Sequence, residues 1–150
     1  MTLQNLLKIG RLKSHEPTAA EVQRLLAAIS RNLHDAAVAS VSDETRFDAA
    51  YKAVMQCALV AMLAAGYRPA ANEPGHHQTM IQSLPLTLGV GNEAWVVLDA
   101  LRRQRNASDY TGQPITPAAV AECLTQAKAL QKALLAHLQA KHPKLLAPPA

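Results

Sequence analysis

Aromatic side chains are nearly missing: one Phe, one Trp and three Tyr make up 3% of the 150 residues. Strands favour aromatic and β-branched residues, so the shortage argues against a sheet protein. It also argues against a single-strand binding platform of the kind that interleaves basic residues with stacked rings. Cysteine is as scarce. Cys57 and Cys123 fall at apolar helical positions with no CxxC pairing, which excludes a disulfide framework and a zinc ribbon and predicts buried, reduced thiols. There is no glycine-rich phosphate loop, since Gly89-Val90-Gly91 is too short a match. No nucleophile elbow and no paired-carboxylate arrangement stands out. The most apolar segment, Ala49 to Gly66, is broken by Lys52 and Gln56, so it reads as a core helix and not as a membrane span. The beginning of the chain has no basic stretch followed by an apolar run, so no membrane and a cytoplasmic location are expected.

What is present is aliphatic. Apolar residues are 49% of the chain, dominated by Ala and Leu, a mixture that favours helix. The formal net charge of +4 suits a polyanionic partner without requiring one. The fold expected is all-α, an antiparallel up-and-down bundle of four to five helices at 18–142. An N-terminal arm at 1–17 precedes it and a flexible tail at 143–150 follows.

The arm holds one short amphipathic piece, Leu3 to Ile9, broken by Gly10 and by the turn at His15-Glu16-Pro17. Thr18 with Glu21 three residues later forms a capping box for a helix running to Ala39, whose stripe is Val22, Leu25, Leu26, Ile29, Leu33 and Ala36. Ser42 caps the next helix, which carries Asp43 and Glu44 in its first turn and stops at Gly66. That helix is apolar around most of its circumference, so it needs cover on more than one side, and a second subunit would supply it. Asp48, Lys52 and Gln56, four apart, read as a solvated edge. A loop over Tyr67 to Gly75 leads to a third helix from His76 to about Leu84, ended by Pro85. A fourth runs from Asn92 to about Ser108. The fifth starts at Thr116-Pro117 with the stripe Val120, Cys123, Leu124, Ala127, Leu130, Leu134 and Leu138.

Chemistry gathers at the end of the fourth helix, in Arg102-Arg103-Gln104-Arg105-Asn106-Ala107-Ser108-Asp109-Tyr110. Helical spacing places Arg102, Arg105, Asn106, Asp109 and Tyr110 on one broad face. Guanidinium groups are the side chains best shaped for forked recognition of phosphate, so Arg102, Arg103, Arg105 and Asn106 are candidate phosphate or RNA ligands. His76 and His77 follow Gly75 at a helix start. His76 is a candidate anion ligand and His77 a candidate acid or base near neutral pH. Adjacent histidines do not easily share one metal ion, and neither a metal nor a cofactor is expected.

The bundle order, the stretch Arg46-Phe47-Asp48-Ala49-Ala50-Tyr51-Lys52, the Gly75-His76-His77 loop and Arg105-Asn106 together resemble HEPN-domain proteins, over about residues 18 to 140. The resemblance implies a helical homodimer. It also implies a setting in toxin–antitoxin or defence-type systems, with an antitoxin or a nucleotidyltransferase as protein partner. The family's motif is an Arg, usually followed by a polar residue, and a His four to six positions later. Arg105 and Asn106 match its first part, and Tyr110 stands where the His would fall. A neutral tyrosine, with a pKa of about 10, is a poor base at pH 7. The resemblance thus implies a dimeric module that binds RNA or a nucleotide through Arg105 and Asn106. The alternatives are a metal-independent ribonuclease using Arg105, Asp109, Tyr110 and His77, and a nucleotidyltransferase partner subunit.

Overall fold

A computed structural model describes residues 1–72 and 75–149. The chain order is α1 (Leu3–Lys8), β1 (Leu12–Ser14), α2 (Ala19–Ala36), α3 (Asp43–Ala64), β2 (Tyr67–Pro69), α4 (His76–Gln82), α5 (Leu84–Thr87), α6 (Asn92–Thr111) and α7 (Pro117–Lys141). The protein is all-α apart from one two-stranded ribbon.

Local chemistry sets the helix ends. The Thr18 hydroxyl accepts from the Glu21 N–H at 3.2 Å and the Glu21 carboxylate accepts from the Thr18 N–H at 3.0 Å, closing the expected capping box. Ser42 and Thr116 cap α3 and α7 with the hydroxyl alone, accepting from the Thr45 and Ala119 N–H groups. α3 stops at Gly66, whose φ of +96° lies where a side chain would be strained. Pro85 does not end a helix as the sequence suggested. It sits in the first turn of α5, where its missing N–H leaves no intrahelical bond unmade.

α3 is the hub. Phe47, Ala50, Val54, Ala61 and Met62 are all buried to within 1%, and α2 and α7 pack along it most extensively. Ile29 of α2 and Leu134 of α7 meet it in one core. It is the described helix long and apolar enough to cross a membrane, and most of it lies inside the fold. The chain's own α2, α4, α6 and α7 therefore supply the cover that the sequence assigned to a second subunit. Cys57 and Cys123 are buried free thiols, and burial pushes both up to about 12.

The ribbon was not visible in the sequence. β1 pairs antiparallel with β2 in the register Leu12↔Pro69, Lys13↔Arg68 and Ser14↔Tyr67. It ties the N-terminal arm to the end of α3, with His15 N–H on the Gly66 carbonyl at 2.9 Å. The segment expected as a loose tail also docks. Leu145 is buried, and the Gln23 amide of α2 donates to the carbonyls of Leu145 and Ala147.

Candidate functional site

Three helices and the end of β2 line an open cavity of about 530 Å³. α3 forms its long wall. Asp48, Lys52 and Gln56 stand one turn apart along it, with Tyr51, Met55 and Leu59 beside them. Asp48 and Lys52 are exposed, as a solvated edge requires, and the same line also forms one wall of the cavity, because α4 stands opposite and brings His76, His77 and Met80. α6 adds Arg105, the end of β2 adds Pro69 and the chain after it adds Ala71. Gln56 is fixed from behind by the Asn32 amide at 2.8 Å.

Arg105 is held without being saturated. Its guanidinium lies 5.1 Å above the centre of the Tyr51 ring, a cation–π contact. Asp48 and Asp109 stand on either side at 3.9 and 3.8 Å, beyond direct hydrogen bonds. The ring fixes the position of the guanidinium while leaving its N–H donors available.

The histidines lie close together, with ring centres 4.6 Å apart and edge to face. His77 also approaches Tyr51 at 6.3 Å. Burial, and then the neighbouring His76, Arg105 and Arg102, hold the His77 pKa below its ordinary 6.5. At pH 7 the ring is neutral. Asp48 shifts upward through burial and the Asp109 charge, which outweigh the opposing pull of Arg105.

Tyr51 carries the one buried side-chain polar atom without a partner among the described residues, its hydroxyl. Burial pushes the phenol up to about 12, so it acts as neither base nor anion at physiological pH. Tyr51→Phe keeps the ring under Arg105 and removes an unsatisfied donor. Its expected effect is unchanged or slightly higher stability, by up to about 1 kcal/mol, read from urea unfolding. A loss of that size would show that the hydroxyl is bonded in solution.

The remaining sequence candidates separate. Arg102 and Arg103 do not join the cavity. Asp99, buried and passed over in the sequence, takes Arg102 Nε on one oxygen and an Arg103 terminal nitrogen on the other, both at 2.9 Å. The spacing i, i+3 and i, i+4 was the signal for it. Arg103 lines a separate groove with Gln104, Ala107 and Pro114. Asn106 is half-buried outside the cavity lining. Asp109 is outside the lining and acts on the site through Arg105 and through its charge on Asp48. Tyr110 is 85% exposed and outside the lining, so the single broad face of the sequence reading divides into separate surfaces. Among the described residues no three His, Cys, Asp or Glu side chains converge to hold a metal ion.

The chain matches no family model, no curated protein and no solved structure.

Proposed function

We propose that the cavity is a nucleotide-binding site for RNA, within a HEPN-like module of the kind the sequence resembles. The observation that carries this is the convergence of Arg105, Lys52, His76 and His77 from three helices on one cavity. Beside the Asp48 carboxylate, the donors at this end suit a phosphate: Arg105 offers a forked donor, Lys52 a point charge and the histidines ring N–H groups. Its other end, with Met55, Leu59 and Pro69, suits a base or ribose. The volume falls within the range of small-molecule sites. The dimer and the toxin–antitoxin or defence setting belong to the same proposal and rest on the resemblance alone.

The test is fluorescence anisotropy with a labelled single-stranded RNA at about 50 and 200 mM salt. Binding that weakens as salt rises is expected. Absence of binding at the lower salt refutes the proposal.

The pH dependence is specific. A bound phosphate supplies a negative charge beside His77, so the ring takes up a proton more readily in the complex than in the free protein. Affinity therefore rises as pH falls through the pKa of the bound form and levels off below that of the free form, which lies under 6.5. His77→Gln should flatten that rise. A rise that survives the substitution assigns it to another group.

A second reading, a metal-independent ribonuclease, has one observation in its favour. His77 holds its pKa below 6.5 and shares a cavity with Arg105, so it is placed to accept the 2′-hydroxyl proton as the 2′ oxygen bonds to phosphorus and the P–O5′ bond breaks, with Arg105 stabilising the charge on the phosphorus oxygens and water protonating the leaving 5′ oxygen. This gives the base's role to His77, while Tyr110 lies outside the lining. RNA cut by the parent in EDTA, and left intact by both Arg105→Ala and His77→Gln, would establish it.

A further inference from the structure

The first cavity does not end at its apolar wall. Leu59 and Pro69 also line a second hollow of about 460 Å³, whose other residues include Arg24, Leu25, Leu63 and Arg68. The two hollows therefore meet across one low apolar ridge. On α3 the distance from Lys52 to Leu63 is roughly 16 Å, eleven residues at about 1.5 Å each, more than one nucleotide spans.

The second hollow carries two arginines and one carboxylate, Glu21, on which Arg24 acts at a distance. Arg24 and Arg68 are exposed, and among the described residues neither has a carboxylate at ion-pair distance. Glu21 also lines the hollow, but its carboxylate is already engaged by His15 at 2.6 Å and by the Thr18 N–H. The ribbon register sets Lys13 directly opposite Arg68. Two like charges facing each other across a strand pair repel, and an anion lying over them removes that cost.

We infer that the groove carries a single-stranded nucleic acid along α3, with one phosphate at Lys52 and Arg105 and a later one at Arg24 and Arg68. This rests on the phosphate reading of the first cavity. A mononucleotide fills only the first hollow, whereas a strand reaches both. The ridge between them is aliphatic, so contact there is with sugar and base edges and not by aromatic stacking. Base preference is correspondingly weak and affinity is mainly electrostatic.

The test compares three proteins, the parent, Arg24→Gln/Arg68→Gln and Arg105→Ala. Two RNA probes are used, a labelled oligouridine octamer by anisotropy and a uridine dinucleotide by competition. Melting temperatures check that each variant is folded. For the double variant, octamer affinity should fall roughly tenfold and the salt slope should shrink by about 0.7, the value for one phosphate contact, while dinucleotide affinity stays at the parent's value. Arg105→Ala should weaken both probes. An unchanged octamer affinity and slope in the double variant overturns the extended path and leaves the first cavity's role intact. Equal weakening of both probes overturns it too, since the two arginines would then act as general charge. Polyglutamate displacing the octamer as well as unlabelled RNA does would assign the groove to acidic peptides instead. A parent that binds neither probe removes the first-cavity reading and the path together.

Discussion

Asp99→Ala is expected to destabilise the protein by about 3 kcal/mol, roughly 6 to 12 °C in melting temperature for a domain of this size. Asp99 is 3% exposed and accepts from both arginines at 2.9 Å. Its partners are not equivalent. The Arg102 side chain is 16% exposed, so losing the carboxylate leaves a largely desolvated guanidinium without a counter-charge. Arg103 is 73% exposed and turns to water at little cost. Breaking a fully buried pair costs about 3–5 kcal/mol, and the residual access of Arg102 places this one at the lower end. Asp99→Asn keeps the shape and part of the hydrogen bonding, so its loss should be smaller. Urea unfolding of both variants gives the comparison. A change under about 1 kcal/mol for the alanine variant would mean that Arg102 reaches solvent and the pair contributes little.

Arg105→Ala is expected to weaken RNA binding roughly 30-fold, about 2 kcal/mol, the range for a hydrogen bond to a charged group. Stability should change by less than about 1 kcal/mol, because its two carboxylate neighbours stand at 3.8 and 3.9 Å and are themselves partly exposed. This separation of effects distinguishes it from Asp99, whose loss falls on folding. Arg105→Lys should recover only part of the affinity, since an ammonium keeps the charge but neither forks onto phosphate nor lies flat over Tyr51. Full recovery by Lys would show that only charge matters at this position. A large fall in stability for Arg105→Ala would make Arg105 a structural residue.

The sequence carried the features that depend on neighbours along the chain. Thr18 with Glu21, Ser42, and Thr116 before Pro117 each mark a helix start within one turn, and all three stand where expected. The stripe of α7 is buried as its spacing requires, except for Leu124, which is half-buried. Features that depend on distant segments did not show. β1 and β2 are three residues each and more than fifty apart, too short for alternation to register. Asp48, Lys52 and Gln56 have the spacing of an exposed edge, and only the packing of α4 opposite makes that edge a cavity wall as well. Arg105, His76 and His77 were legible as residue types with useful chemistry, while the approach of Arg105 and His77 to Tyr51 required the fold. Arg102 and Arg103 misled because a basic run looks the same whether it faces solvent or answers a buried acid, here Asp99.

The most direct test of the central claim is to locate RNA binding by nuclear magnetic resonance. An octamer RNA is titrated into isotope-labelled protein, and the side-chain resonances of His76, His77 and Arg105 are followed together with the Lys52 backbone amide. These should move together and saturate at one affinity, with the His77 ring gaining its proton at a higher pH in the complex. Saturating changes confined to Arg103, Gln104 and Pro114, the other groove of α6, would place the nucleic acid elsewhere and contradict the account.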